Sequence, residues 1–220
     1  MTSAAPHPRF ASLVIDVDST LSGIEGIDWL AVLRGPEMAT RIAALTDSAM
    51  RGEIPLESVY GERLRMIAPT RREIDALGAR YVESIAPDAA TVISTLRRAG
   101  VAIALVSGGL REAIVPLARL VGADGKALNA VSIRFDRKGR YAGYDERSPL
   151  ATQAGKERVV RDLALAAPVL GVGDGATDLA MRPALAAFAA YTGFARREPV
   201  TRAADFTIES FAQLEGLVLG

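Results

Sequence analysis

Three short apolar runs divide the chain into repeating units. They begin near Ser12, Val101 and Pro168, and each is apolar at nearly every position rather than at alternate positions. This pattern is typical of strands that are covered on both faces of a parallel sheet. Each run leads directly into polar residues that can carry chemistry.

Helical patterns lie between these runs. Apolar residues recur at helical spacing over 89–99, 110–121 and 156–166, and a glycine follows each of the first two segments. The alternation of strand and helix predicts an α/β fold with a doubly wound parallel sheet. Ligands bind such sheets at the carboxyl ends of the strands, which is where the polar tips of the three runs fall.

The segment 22–80 has a different pattern. Four stretches in it are amphipathic at helical period, separated by Pro or Gly, and no strand pattern interrupts them. We therefore predict a small all-helical cap at 22–80, inserted after the first strand. The core would then consist of 8–21 and 81–220.

The second half of the chain contains further short strand patterns. Residues 131–135 and 141–144 flank the polar turn DRKGR and predict a β-hairpin. Residues 187–191 and 205–208 predict two more strands.

Composition and charge exclude several classes of partner. Among 220 residues, 26 Lys and Arg balance 26 Asp and Glu, so there is no basic excess to attract nucleic acid or an anionic membrane. No secretory signal and no membrane-spanning segment is evident. We expect a cytoplasmic protein, a monomer or homodimer, that binds a small molecule.

The lack of two residue types narrows the chemistry. The chain has no cysteine, and its single histidine, His7, lies in a Pro-flanked N-terminal tail. A Ser-His-Asp triad, thiolate catalysis and a His-based metal site are therefore not expected. Any catalysis or ligand binding must therefore depend on carboxylates, hydroxyls, lysine, arginine and backbone groups.

Carboxylates cluster at two of the strand tips. Asp16 and Asp18 follow the first run, and residues two apart on an extended strand face the same way. Asp174 follows the third run and is a natural further ligand. Because Mg²⁺ prefers oxygen ligands and phosphate, these acids predict a magnesium site. Asp178, four residues beyond Asp174, could serve the same ion or its surroundings.

Groups suited to an anion lie near the same edge of the sheet. The sequence Ser107-Gly108-Gly109 is predicted to open a helix, where free backbone N–H groups and small side chains admit a phosphate. Lys156, which begins another predicted helix, supplies a positive charge.

Together these motifs resemble the haloacid dehalogenase superfamily, and within it the phosphatases that act on phosphoserine. The matching stretches are IDVDSTL, EGIDWLA, SAMRGEIPLESVYGERL, LVSGG, YAGYDE, AGKERVV and VGDGATDLAM. They occur in the family's order over nearly the whole chain, and the helical insertion resembles that family's cap. The resemblance implies a Rossmann-like core and Mg²⁺-dependent hydrolysis of O-phospho-L-serine, the last step of serine biosynthesis.

The resemblance also implies catalytic roles. Asp16 would be the nucleophile that forms an aspartyl phosphate, and Asp18 would be the general acid and base. Mg²⁺ would be held by Asp16, by the backbone carbonyl of Asp18 and by Asp174. Asp178 would orient Lys156 or the waters of the metal. The remaining phosphate-binding residues implied are Ser107, Gly108, Gly109, Lys156 and Thr177.

Substrate choice would lie in the cap. The resemblance implies that Glu25 pairs with the α-ammonium group, that Arg63 binds the α-carboxylate, and that Met50 packs against the aliphatic part. Arg197 roughly matches a family arginine near the site. The chain departs from close relatives in carrying Ala154 before Gly155, where a second glycine is frequent.

Three alternatives remain open from the sequence. The same chemistry could act on another small phosphorylated amino acid or alcohol. A phospho-accepting signalling domain uses similar residues, but it is shorter and lacks both the acid at position 18 and the cap. A catalytically inactive relative would retain the fold alone, whereas every expected catalytic residue type is present here.

Overall fold

A computed structural model describes residues 8–51 and 53–220; His7 lies outside this range. Its central element is a six-stranded sheet in the order β3-β2-β1-β6-β7-β8, in which every neighbouring pair is parallel. The sheet strands are β1 (Ser12–Ile15), β2 (Ala102–Leu110), β3 (Leu128–Val131), β6 (Val169–Gly173), β7 (Ala187–Tyr191) and β8 (Phe206–Ile208).

The middle of the sheet is buried along its whole length. Every residue of β1, β6 and β7 is buried, although successive side chains point to opposite faces. The sheet is therefore covered on both sides, which confirms the predicted doubly wound α/β fold. Because β1 pairs with β2 and with β6 in parallel, the carboxyl ends of these three strands meet at one edge.

The first four of the five helices between β1 and β2 form one continuous helical segment. They are α1 (Gly26–Val32), α2 (Pro36–Met50), α3 (Leu56–Ile67) and α4 (Arg71–Glu83). Within the described part of 22–80 the structure has no strand, as the sequence predicted. A capping box between Thr70 and Glu73 begins α4.

The other helices belong to the sheet-forming part of the chain. They are α5 (Ala89–Arg98), α6 (Arg111–Leu120), α7 (Gly155–Asp162), α8 (Ala176–Leu179), α9 (Glu198–Ala203) and α10 (Phe211–Leu219), with 3-10 turns at Gly125–Ala127, Pro149–Ala151 and Arg182–Ala184. Helix α4 packs against α6, where a Cβ at Gly78 would lie 3.2 Å from the Ala113 carbonyl oxygen.

The structure corrects the ends of two predicted helices. Ser107-Gly108-Gly109 lies within β2, and the helix after it begins only at Arg111. The third predicted helix ends at Asp162 rather than 166, because Ala164 adopts a left-handed conformation with φ 45°.

The first strand of the hairpin is shorter than predicted. Val131 belongs to β3 of the main sheet, and only β4 (Ile133–Phe135) pairs with β5 (Tyr141–Tyr144) in an antiparallel ribbon. The hairpin borders the helical segment, since the ring of Tyr144 packs at a tilt against that of Tyr60 in α3, with ring centroids 5.2 Å apart. None of the helices within 8–51 and 53–220 combines the length and the apolar character that a membrane crossing requires.

Candidate active site

The polar tips of β1, β2 and β6 line one pocket beneath the helical segment. Asp16 follows β1, Gly108 and Gly109 lie at the end of β2, and Asp174 follows β6. The same pocket is lined by Lys156 and Thr177 from the sheet side and by residues of α1, α2 and α3. Parallel pairing of the three strands produces this convergence.

Lys156 holds two of the carboxylates together. Its Nζ lies 2.6 Å from Oδ1 of Asp16 and 2.5 Å from Oδ1 of Asp178, and all three side chains are buried. Asp178 is itself held, because its Oδ2 accepts a hydrogen bond from the Gly175 amide at 2.9 Å. Asp178 therefore contacts the lysine that lies beside Asp16, and its orienting role remains a prediction.

Three buried carboxylates form a set that could hold a cation. One oxygen each from Asp16, Asp174 and Asp178 lies within 4.8 Å of the others. All-oxygen, anionic donors suit a hard divalent ion such as Mg²⁺ or Ca²⁺. The chemistry of this set fits a divalent metal, and it contains Asp16 and Asp174, two of the three residues predicted to hold one.

Burial and neighbouring charges shift the ionisation of this cluster. Burial and then the Asp178 carboxylate raise the pKa of Asp16 to about 7, and Lys156 counteracts them. Burial alone would lower the pKa of Lys156, but Asp16 and Asp178 raise it above its ordinary value. The lysine therefore remains an ammonium ion, and additional positive charge near Asp16 would favour its carboxylate form.

Asp18 faces a different part of the pocket from Asp16. The strand ends at Ile15, so the alternation expected of an extended segment does not govern these two side chains. Oδ1 of Asp18 accepts hydrogen bonds from the Gly26 amide and from the Tyr81 hydroxyl, each at 2.7 Å, and Oδ2 accepts one from Ser107 at 3.2 Å. Its carboxylate is outside the acidic set, and metal ligation through its backbone carbonyl remains a prediction.

Two hydrogen bonds hold the end of β2 in place. Oγ of Ser107 accepts a hydrogen bond from the Gly109 amide at 2.9 Å, and the carbonyl of Gly108 accepts one from the Tyr60 hydroxyl at 2.8 Å. A Cβ at Gly109 would lie 2.6 Å from Oδ2 of Asp18. Glycine at 109 thus allows the acid to approach this turn closely.

The helical segment contributes one acidic and one basic side chain. Glu25 and Arg63 line the pocket, and Arg63 is 2% exposed. Burial, followed by the Asp18 charge, raises the pKa of Glu25 to about 8. Nε of Arg63 has no hydrogen-bond partner among the described residues. Met50 also lines the pocket, and its Sδ would lie 2.9 Å from a Cβ at Gly175.

Arg197 links the two sides of the site. Its guanidinium forms an ion pair with Oδ2 of Asp174 and lies 3.6 Å from Oε1 of Glu25. Its side chain is 11% exposed. The structure therefore brings Arg197 to the site, as the family likeness implied, between a carboxylate of the sheet edge and one of the helical segment.

The sequence did not indicate four residues that the site uses. Asp28 lines the pocket and accepts a 2.5 Å hydrogen bond from Thr46, which in turn accepts one from Arg63 at 2.7 Å. Tyr60 contacts Gly108, and Tyr81 contacts Asp18. Asp28 could have been found from its spacing, because a residue three positions after Glu25 shares its helix face. No local pattern distinguishes the tyrosines from core residues.

Most of the chain matches a known protein family. Residues 13–184 match the model of the haloacid dehalogenase-like hydrolase family. The phosphoserine phosphatase of Homo sapiens is 33% identical over 208 residues, covering 93% of this chain and 92% of that protein. The chloroplastic phosphoserine phosphatase of Arabidopsis thaliana is 32% identical over 92% of this chain and 70% of its own length.

Solved structures share the fold. A phosphoserine phosphohydrolase-like protein from Francisella tularensis superposes with a TM-score of 0.86 at 23% identity, covering 94% of this chain and 98% of that one. A phospho-aspartyl intermediate analogue of phosphoserine phosphatase superposes with a TM-score of 0.76 at 20% identity, covering 93% and 96%. At these identities the superpositions support the architecture.

Proposed function

The chain belongs to the haloacid dehalogenase-like hydrolase family, and we propose that it hydrolyses O-phospho-L-serine to L-serine and phosphate. The observation that supports this substrate is the pattern of ionisable groups in one pocket. Asp16 and Lys156 lie on its sheet side, whereas Glu25 and Arg63 face it from the helices. A molecule with a phosphate at one end and an amino-acid group at the other matches both sides.

Arg63 is suited to bind the substrate carboxylate. Its buried guanidinium lines the pocket, and one of its N–H groups has no partner among the described residues. Arginine and a carboxylate form strong, directional hydrogen bonds when both are removed from water. Glu25, the residue before α1, offers a carboxyl group to the α-ammonium group, whose positive charge would favour the ionised form of Glu25. Met50 packs against the short aliphatic part.

The first chemical step transfers the phosphoryl group to Asp16. A carboxylate oxygen of Asp16 attacks phosphorus while the bond from phosphorus to the serine oxygen breaks. The electron pair of that bond goes to the serine oxygen, which takes a proton from Asp18. The products are serine and an aspartyl phosphate on Asp16, with Asp18 left as a carboxylate.

The second step regenerates the enzyme. The Asp18 carboxylate removes a proton from a water molecule as the water oxygen attacks phosphorus. The bond between phosphorus and the Asp16 oxygen breaks and its electron pair returns to the Asp16 carboxylate. Inorganic phosphate leaves, and Asp18 is again protonated for the next cycle.

The charge of the phosphoryl group must be balanced throughout. Lys156 supplies one fixed ammonium group, Ser107 supplies a hydroxyl, and Gly108, Gly109 and Thr177 line the same end of the pocket. We propose that Mg²⁺ is held by Asp16, Asp174 and the Asp18 carbonyl, with Asp178 behind Lys156. A bound divalent cation would add positive charge that stabilises the transferring group.

The helical segment 22–80 is proposed to act as a specificity cap over a core of 8–21 and 81–220. Glu25, Met50 and Arg63 all come from it, whereas the proposed phosphate-binding groups come from the core. In this division the cap recognises the leaving group, and the core carries out the chemistry at phosphorus. We propose a cytoplasmic location and a monomer or homodimer as well.

Phosphate release from a panel of phosphomonoesters tests the proposal. We expect turnover of O-phospho-L-serine to require Mg²⁺, and Asp16→Asn to abolish it, with unfolding curves showing that the variant still folds. Truncation by Arg63→Ala should reduce turnover of phosphoserine far more than that of p-nitrophenyl phosphate. Equal losses on both substrates would instead favour another small phosphorylated amino acid or alcohol.

A further inference from the structure

Tyr81 contacts the predicted general acid although it lies far from it in sequence. Its side chain is fully buried near the end of α4, and its hydroxyl donates a 2.7 Å hydrogen bond to Oδ1 of Asp18. The backbone amide of Gly26 donates to the same oxygen at 2.7 Å. Both donors are uncharged groups that already carry their proton.

This arrangement makes the two oxygens of Asp18 unequal. Oδ1 has two hydrogen-bond partners, one of them a backbone amide that can only donate, whereas the single partner of Oδ2 is the Ser107 hydroxyl, which can also accept. A proton on the neutral acid is therefore favoured on Oδ2. Oδ2 faces the phosphate end of the pocket, 3.2 Å from Ser107 Oγ and 2.6 Å from where a Cβ at Gly109 would lie. The oxygen that would donate the proton thus faces the end of the pocket where the phosphoryl group would bind.

A second observation ties Tyr81 to this contact. A Cβ at position 26 would lie 2.1 Å from the Tyr81 hydroxyl oxygen and 3.3 Å from Oδ1 of Asp18. Glycine at the first residue of α1 therefore leaves the space that the phenol occupies. The amide and the hydroxyl converge on one oxygen only because position 26 has no side chain.

We propose that Tyr81 is a positioning residue for proton transfer: together with the Gly26 amide it holds Oδ1 of Asp18, so that Oδ2 delivers the proton to the leaving oxygen. The inference rests on the proposed role of Asp18. As the ester bond breaks, its electron pair moves to the leaving oxygen, which takes the proton from Oδ2. The negative charge left on Asp18 is then shared with Oδ1, where both donors stabilise it.

The test is the dependence of rate on the leaving group in Tyr81→Phe, which removes one hydroxyl and keeps the ring. The quantity measured is kcat/KM for a series of aryl phosphates from p-nitrophenyl to phenyl phosphate, and for O-phospho-L-serine. This parameter covers the steps through loss of the alcohol and excludes hydrolysis of the intermediate.

We expect a selective loss. Because p-nitrophenolate leaves without protonation, its kcat/KM should stay at the wild-type value. For poor leaving groups kcat/KM should fall about tenfold, which is only part of the roughly 10²–10⁴-fold that general acid catalysis provides. The slope of log kcat/KM against leaving-group pKa should become steeper. Tyr191→Phe is the matched control, since Tyr191 is buried in β7 against Phe194 and Phe211, away from the pocket.

The outcomes separate this inference from the proposed substrate. An equal loss on every ester, or an unchanged slope in Tyr81→Phe, overturns the role of Tyr81. If the wild type hydrolyses the aryl series but not phosphoserine, the proposed substrate fails, and the change of slope still decides the role of Tyr81. Thermal unfolding of both variants shows whether a uniform loss reflects misfolding.

Discussion

At the scale of single residues, Arg63 is held by a relay of two other side chains. Nη1 of Arg63 donates to Oγ1 of Thr46 at 2.7 Å, and the Thr46 hydroxyl donates to Oδ1 of Asp28 at 2.5 Å. One hydroxyl thus accepts from the cation and donates to the anion. Burial lowers the pKa of Arg63, and the nearby Asp28 charge opposes that effect. The relay keeps a buried guanidinium charged and oriented.

Breaking this relay should weaken recognition of the substrate carboxylate. Thr46→Val keeps the shape but removes the hydroxyl, and a hydrogen bond to a charged group is worth about 1.5–3 kcal/mol. We expect a rise in KM for O-phospho-L-serine of about tenfold or more, while phosphoethanolamine, which lacks the carboxylate, is turned over as before. Thr46→Ser retains the hydroxyl and should behave like the wild type. Steady-state kinetics with both substrates would contradict the relay if both were affected equally.

Glu25 should make stability depend on pH. Burial raises its pKa from 4.5 to about 8, so the folded chain binds this proton more tightly than the unfolded chain does. The stability contributed by this protonated group is full below the lower value and is lost as pH rises toward the higher one. We therefore compare the free energy of unfolding of Glu25→Gln with that of the wild type. The difference, variant minus wild type, should rise by roughly 1–2 kcal/mol from about pH 5 to about pH 8.5.

Denaturant titrations at the two pH values measure this difference. The side chain of Glu25 is 23% exposed, so solvent screening keeps the effect below the full value of the shift. Glu146→Gln, at an exposed position outside the pocket, is the control for removing one carboxyl group. A pH-independent gap between wild type and Glu25→Gln would mean that Glu25 ionises alike in both states.

The candidate site illustrates what sequence can and cannot predict. Asp16, Lys156, Asp174 and Asp178 follow from motifs at strand tips, because parallel strands bring those tips to one edge. Tyr81 could not be predicted, since its hydroxyl reaches Asp18 through packing between segments 63 residues apart. A tyrosine on an amphipathic helix has the same local pattern whether it ends in a core or at an active site.

At the scale of elements, the start of α7 depends on a close backbone approach. A Cβ at Gly155 would lie 1.6 Å from the carbonyl oxygen of Pro149, in the preceding 3-10 turn. That carbonyl is backbone and cannot move aside as a flexible side chain would. The next residue is Lys156, so the glycine determines where the side chain of Lys156 leaves the helix.

Gly155→Ala should therefore cost both stability and activity. We expect the free energy of unfolding to fall by about 2 kcal/mol or more, and turnover to fall because Lys156 moves away from Asp16. Gly216→Ala in α10 is the matched control, because a Cβ there meets nothing within 4 Å and alanine should stabilise a helix by about 0.5–1 kcal/mol. Similar behaviour of the two variants in urea unfolding would contradict the close approach.

The periodic patterns predicted most elements but not all of their ends. The alternation of apolar runs and amphipathic segments was sufficient for the parallel sheet. It could not show that β2 continues through Ser107 to Leu110, because a serine and two glycines have weak strand preference. It also missed the left-handed Ala164 that ends the third predicted helix early, since alanine normally favours helix.

At the scale of the whole molecule, zero net charge conceals a concentrated negative site. The chain carries 26 residues of each sign, yet three carboxylates of Asp16, Asp174 and Asp178 lie together in the interior. Lys156 and Arg197 are their cationic neighbours. Gathering like charges in a buried space is costly unless counter-charge is present. A divalent cation bound there should stabilise the entire fold.

Mg²⁺ is therefore expected to raise the unfolding temperature, reversibly on chelation with EDTA. A ligand that binds only the folded chain adds about 2.7 kcal/mol at a hundredfold excess over its Kd, which corresponds to about 5–10 °C for a protein of this size. Asp174→Asn should lose this shift, whereas Asp88→Asn, at an exposed position, should retain it. Calorimetry with and without Mg²⁺ measures both. If Asp174→Asn gained as much as the wild type, the stabilising ion would be bound elsewhere, and the acidic cluster would have to be stable through Lys156 and Arg197 alone.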